Sequence, residues 1–213
     1  MRETQIRTYQ AADIVPFRKT AEEFGGLSNM APGFPIRLLG LKIRTAEALY
    51  QACRFPHMPE VQQMILSEGS PMTAKMRSKP YRKDSREDWD DVRVSVMRWC
   101  LRVKLICNWG TFSNLLLSTG NAPIVEDSRK DSYWGAVPQD KYILAGENVL
   151  GRLLMELREK RRANPASVSA VQPLNISNFY LLDHPIPPLA VSVTGEGDNS
   201  GAAAQASSQP EFF

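Results

Sequence analysis

Apolar residues recur at steps of three and four over much of the first 160 positions. The clearest run is Trp89, Val92, Val96, Trp99, Val103 and Ile106, which predicts an amphipathic helix from Arg86 to about Asn108. Ser85, with Asp88 three residues later, resembles the capping box that opens such a helix. Leu150, Leu153, Leu154 and Leu157 share one face of a last helix, which Asn148 is placed to cap. Thr45 suits an N-cap, with Glu47 in the first turn of a helix reaching about Phe55. Ser70-Pro71 reads as a cap followed by proline at the first helical position. Thr111 is expected to open a short helix that Gly120 closes. Ile-Arg-Leu-Leu-Gly-Leu-Lys-Ile at 36–43 predicts a short strand or hairpin turning at Gly40, and 123–126 reads as a strand. The pattern is that of a helix-rich α+β domain with few short strands.

Composition sharpens this outline. With 213 residues and 43% hydrophobic content, the chain can build one domain with a real core and a modest extension. The periodic patterns stop near Asn164. We therefore expect a domain over 1–162, a Pro-rich arm over 163–194 laid against it, and a low-complexity, disordered tail over 195–213. No apolar run approaches the roughly 20 residues that cross a bilayer, and the polar N-terminus lacks a signal peptide's apolar middle. Cys53, Cys100 and Cys107 form no CxxC pair, which fits a reducing cytoplasm; Cys100 and Cys107 read as core positions on the long helix. With only His57 and His184, neither a His-rich metal site nor a His-based triad is expected. No Lys or Arg follows Arg162, while Asp183, Glu196, Asp198 and Glu211 do. The net charge of +3 thus becomes +7 for residues 1–162 once those four acids are set aside, compatible with a phosphate-bearing ligand or nucleic acid.

Candidate chemistry concentrates in Asp131-Ser-Tyr-Trp-Gly135 and Gly146-Glu-Asn-Val-Leu-Gly151. A carboxylate, two aromatic rings and three glycines lie close together there. Glycines let the backbone approach a ligand, rings offer flat faces to a base, and Trp is costly in a loop unless it packs or binds. Asp131 can equally do no more than cap its turn, and Glu47 no more than complement a helix dipole. If the two carboxylates flank one pocket, they suit cleavage of a glycosidic bond through an oxocarbenium-like transition state. Lys104 is either a solvated helix charge or a desolvated amine able to attack an opened sugar aldehyde. It lies about 22 Å along the helix from Trp89, with roughly 60° between their directions, so one small base cannot touch both. Ser28-Asn29, after Gly25-Gly26, is a polar turn able to hold a ribose or phosphate. There is no GxGxxG and no P-loop.

Taken in order, several segments resemble the NADAR family, also called YbiA-like. They are Gly-Gly-Leu-Ser28-Asn29, Thr45-Ala-Glu47-Ala-Leu-Tyr50-Gln51-Ala, Ser70-Pro71-Met72, Trp89, Arg102-Val-Lys104, Leu116-Leu-Ser-Thr-Gly120, Ile124-Val-Glu126, and the two motifs above, the second continuing to Met155. The resemblance spans 20–160 and implies a single domain of that fold. It implies an N-glycosidase without a cofactor. Some members remove ADP-ribose from guanine in DNA or nucleotides, often beside a DNA ADP-ribosyltransferase toxin. Others hydrolyse early riboflavin-pathway intermediates. The site implied has Glu47, Asp131 and Lys104 as catalytic residues, with Ser28, Asn29, Trp89, Trp134, Gly135, Gly146 and Asn148 around the substrate. This sequence departs from the family at Ala48, often His, at Arg54, commonly Lys, and at Leu27 and Met30, usually aromatics. These changes bear on base recognition more than on chemistry. A non-catalytic ADP-ribose-binding module is a third reading, and the retention of Glu47, Lys104 and Asp131 argues against it.

Overall fold

The computed structural model describes residues 5–191. Six helices dominate: α1 (Ala46–Ala52), α2 (Pro59–Ser67), α3 (Pro71–Ser78), α4 (Trp89–Cys107), α5 (Trp109–Ser118) and α6 (Val149–Ala163). The strands are short. Ile143–Gly146 is the centre of a three-stranded antiparallel sheet between Arg7–Gln10 and Val137–Pro138. Val15–Phe17 pairs in parallel with Ile124–Glu126. Ile36–Leu38 and Leu41–Ile43 form the expected hairpin, and the chain turns through positive φ at both Leu39 and Gly40. The architecture is helix-rich α+β. No helix of the described residues is long and apolar enough to cross a membrane.

Helix α4 is the spine. Val96, Trp99, Val103 and Leu105 are almost wholly buried, and the helix packs on α1, α5 and α6. Burying such side chains stabilises the fold by about 1.5–3 kcal/mol each. Trp99 uses its ring as well as its polar end: Phe179 stands edge-on at 5.0 Å, and Nε1 donates to the Gln172 carbonyl at 3.1 Å. Both partners belong to the segment after α6. That segment buries Val168, Val171, Leu181 and Ile186 against the helices. Buried Gln62 of α2 ties it down, donating to the carbonyls of Ala52 and Tyr180 and accepting from the Leu182 N–H at 2.6 Å. The arm is therefore a packed layer as far as residue 191. The tail expected over 195–213 lies outside the described residues.

Caps explain several helix starts. Thr45 accepts from the Ala48 N–H, and Ser70 from the Thr73 N–H. The long helix corrects its expectation. It begins at Trp89 with Asp88 as an N-cap that makes no side-chain cap bond. Ser85 and Asp88 are drawn elsewhere, Ser85 accepting from Arg54 Nε at 2.7 Å and Asp88 pairing with Arg86. Helix α5 starts two residues before Thr111, at Trp109, after Asn108. Cys100 is buried as expected, but Cys107 is only half-buried, because it ends α4 with Sγ against the Arg37 carbonyl.

Candidate active site

Two helix faces and one loop meet around a cleft of about 350 Å³. From the α1 segment come Glu47, Tyr50, Gln51 and Arg54, spaced as neighbours on one helical face. From α4 come Trp89, Arg93 and Met97, four residues apart. Ser28, Asn29 and Met30 close one end. Glu126, Ser128, Asp131 and Trp134 form the facing loop wall, and Lys75 and Arg82 complete the rim. A more open groove of about 720 Å³ lies beside Pro56, His57 and Arg86. It has no aromatic box, and Arg86 there is already paired with Asp88, so the smaller cleft is the chemical candidate.

The helical wall is anchored from behind. Glu47 is 7% exposed; its Oε1 accepts from Gln51 Nε2 at 2.9 Å, and its backbone N–H donates to the Asn29 carbonyl at 3.0 Å. Tyr50 and Trp89 pack at 5.0 Å, and Trp134 stands edge-on to Tyr50 at 5.8 Å, so three rings from three segments form one aromatic corner. Burial, helped by Glu47, pushes the Tyr50 hydroxyl pKa up. The Arg54 guanidinium lies 5.1 Å from the centre of the Trp89 ring; burial and the nearby Arg82 lower its pKa. Asn29 gives Nδ2 to the Met97 thioether at 2.7 Å and leaves Oδ1 buried with no partner.

The loop wall is held by backbone contacts. Asp131 accepts the N–H groups of Tyr133 and Trp134 on Oδ1, at 3.0 and 2.9 Å, so it does cap its turn while lining the cleft. Asn148 marks the start of α6 with a left-handed backbone, yet its side chain makes no cap bond. It reaches back to the strand instead, accepting from the Glu126 N–H at 3.1 Å and donating to the Ile124 carbonyl at 2.9 Å. That clamp sets Glu126 in the cleft. Burial, then repulsion from Asp131 and Glu47, raises the Glu126 pKa to about 7, opposed only by Lys75. A carboxyl in that state can give a proton near neutral pH.

Of the residues anticipated, Ser28, Asn29, Glu47, Trp89, Asp131 and Trp134 line one cleft. Four do not. A Cβ on Gly135 would come within 2.5 Å of the Glu126 carbonyl, and one on Gly146 within 2.4 Å of the Gly135 carbonyl. These glycines let loop backbones stack, rather than a ligand approach. Asn148 is the clamp behind Glu126. Lys104 is wholly buried one layer below, donating to the carbonyls of Gly26 at 2.6 Å and Ser28 at 3.0 Å, over the rings of Phe34 and Phe112. Burial alone brings its pKa down to about 7, against two carbonyl acceptors and two ring faces that favour the cation. Sequence reasoning gave no role to Glu126, Tyr50, Lys75, Arg82 or Arg93, and touched Arg54 only as a departure bearing on base recognition. The signal for Arg93 was its step of four from Trp89; for Glu126, an acid ending an apolar strand.

Comparison with known proteins shows the family of the chain. The NADAR domain model matches residues 16–162. N-glycosidase YbiA of Escherichia coli K12 is 34% identical over 160 residues, covering 75% of this chain and 96% of that protein. Its NMR structure superposes with a TM-score of 0.62 at 35% identity, over 72% of this chain and 87% of the other. A riboflavin biosynthesis protein of Vibrio vulnificus is 35% identical over 155 residues, 73% of this chain but 40% of that longer protein.

Proposed function

The chain belongs to the NADAR family of N-glycosidases, and from that premise we propose that it removes ADP-ribose from ADP-ribosylated guanine in DNA or nucleotides. It would thereby reverse the mark of a DNA ADP-ribosyltransferase toxin. One observation carries the choice. Arg54, Lys75, Arg82 and Arg93 line the same cleft as Glu47, Glu126 and Asp131. Among the described residues, Arg54, Lys75 and Arg82 make no ion pair within 4 Å. Three cations without ion pairs of their own, beside Arg93, whose partner is Asp90 at 3.6 Å, suit a diphosphate. The aromatic corner suits a base, and the unpartnered Asn29 Oδ1 offers an acceptor to a ribose hydroxyl or base N–H.

In this reading the bond between C1′ and the guanine nitrogen breaks as Glu126 passes its proton to that nitrogen. Glu47 and Asp131 stabilise the positive charge that develops on the ribose. Water then bonds to C1′ and leaves its proton on a carboxylate. Alternatively the ribose ring opens to an imine between C1′ and the guanine nitrogen; Lys104, as free amine, adds to C1′ and guanine leaves with a proton on that nitrogen, and one water then hydrolyses the Lys104 Schiff base. For that, the amine has to leave the Gly26 and Ser28 carbonyls. The riboflavin-named relative supports a second reading, hydrolysis of an early riboflavin-biosynthesis intermediate.

The deciding experiment incubates purified protein, without added metal, with an oligonucleotide bearing ADP-ribosylated guanine and with the riboflavin intermediates. ADP-ribose release from the first is expected. Cleavage confined to the second substrate transfers the chain to the second reading. Borohydride added during turnover traps the Lys104 route as a permanent adduct. Full turnover in Lys104→Ala leaves water as the attacking group.

A further inference from the structure

Cations extend beyond the cleft onto both of its lips. From Lys75 to Lys83 the chain reads Lys-Met-Arg-Ser-Lys-Pro-Tyr-Arg-Lys, five cations and no acid. Lys75 and Arg82 line the cleft. Arg77 is paired with Glu68 at 2.7 Å. Lys79 and Lys83 are exposed, and among the described residues they form no ion pair; Lys83 lines the neighbouring groove, where Asp84, Glu87 and Asp88 also lie. On the loop side, exposed Arg129 and Lys130 stand between the lining residues Ser128 and Asp131 and are likewise unpaired. A single diphosphate is served by the cations inside the cleft. Four further free cations, divided between two lips, match a ligand that continues past the mouth on both sides and carries a charge at regular intervals.

The same α3 helix adds an apolar element. Met72 and Met76, one turn apart and on either side of Lys75 in sequence, are 56% and 65% exposed. Exposed thioethers are soft, adaptable faces, and beside phosphate-binding cations they suit unpaired bases. A base that must enter the cleft leaves its stack with least cost from a single strand.

We propose that the two lips form a binding surface for single-stranded DNA. Lys79 and Lys83 on one side and Arg129 and Lys130 on the other take phosphates of the nucleotides flanking the modified base, while Met72 and Met76 support a neighbouring base. This deepens the N-glycosidase reading by making a polymer the preferred form of its substrate. The binding itself does not depend on that reading.

The test uses the full chain and two charge reversals, Lys79→Glu with Lys83→Glu, and Arg129→Glu with Lys130→Glu. Anisotropy of a labelled, unmodified single-stranded oligonucleotide is read over a range of salt. Each double variant should bind at least about tenfold more weakly, with the log–log salt slope shallower by about one to two. Cleavage of a modified oligonucleotide should fall in proportion, while cleavage of ADP-ribosylated guanosine monophosphate stays within about twofold of the parent chain. Unchanged oligonucleotide binding in both variants overturns the proposal, as does an equal loss on the mononucleotide. A duplex bound as tightly as the single strand overturns the single-strand assignment. If the parent chain cleaves neither substrate, the glycosidase reading fails, and the anisotropy still decides for or against the lips.

Discussion

The two walls of the cleft are built by different means. The helical wall presents Glu47, Tyr50, Trp89 and Arg93 at helical spacing from α1 and α4, and those helices are fastened by the core beneath them. The loop wall presents Glu126, Asp131 and Trp134 from short or irregular backbone. Asn148 clamps it, the Asp131 cap braces it, and it is packed so closely that Gly135 and Gly146 have no room for a side chain. One wall therefore takes its geometry from secondary structure. The other takes it from a handful of hydrogen bonds and backbone approaches. Substitutions in the first should separate activity from stability; substitutions in the second should damage both.

The largest expected effect is on the helical wall. Glu47→Gln keeps the size and the packing of Glu47 but removes its charge. We expect kcat to fall by about 100-fold or more, the usual scale for a positioned acid or base. Ligand affinity and Tm should stay near those of the parent chain, measured by calorimetry and thermal melting. A kcat within a few-fold of the parent would remove Glu47 from the chemistry.

Gly146→Ala probes the loop wall at its tightest point. The added methyl meets the Gly135 carbonyl, the Ala136 Cα and the Ser132 carbonyl, all backbone that cannot swing aside. Overpacking of this kind costs about 1–3 kcal/mol. Tm should drop by roughly 2–4 °C per kcal/mol, and substrate affinity should drop with it. An unchanged melting curve would mean that the loop wall yields easily, and the contrast between the walls would weaken.

Asn148→Ala is a milder break. It strands the Glu126 N–H and the Ile124 carbonyl, at a cost of about 1–3 kcal/mol. Activity should fall although Asn148 lines no part of the cleft. Asn148→Asp, which keeps the acceptor for Glu126, should recover part of it.

The last effect is a dependence on pH. Glu126 holds its proton up to about 7 in the fold, against an ordinary carboxylate value of 4.5. Between those values the folded chain binds the extra proton, so ionising Glu126 removes stability as pH rises from about 4.5 to 7, and the loss is complete above 7. Glu126→Gln avoids that loss. It should melt higher than the parent chain at pH 8, with the gain fading toward pH 4.5, while activity falls for want of a proton donor. A gain that is flat across this range would place Glu126 in water rather than in the cleft.

The residues differ in how far the chain pattern revealed them. The apolar steps of α4 and α6, the caps Thr45 and Ser70, and the turn at Gly40 are local signals, and each produced its element in place. Glu47, Trp89, Asp131 and Trp134 were legible as candidates because acids and rings stand out in short motifs. Asn148 shows the limit. Its position at the start of α6 was readable, but its side chain spends its bonds on a strand 22 and 24 residues away. Ser85 and Asp88 similarly gave up their box, Ser85 for Arg54, which the fold brings near from 31 residues away, and Asp88 for its sequence neighbour Arg86.

By itself, then, the sequence determined five of the six helices, their order, the family resemblance and most of the acids and rings of the cleft, because helix periodicity and capping act over a few residues; α2, which starts after Met58 with no side-chain cap, went unread. Only the tertiary structure decided that Glu126 joins Glu47 and Asp131, that Lys104 lies under the Ser28 turn, and that Gly135, Gly146 and Asn148 support the wall without lining it. Burial and charge proximity set those roles. Both arise between segments separated along the chain, by 22 residues in the bond from Glu126 to Asn148 and by 76 in the bond from Lys104 to Ser28, and no local pattern encodes which groups will lose their water together.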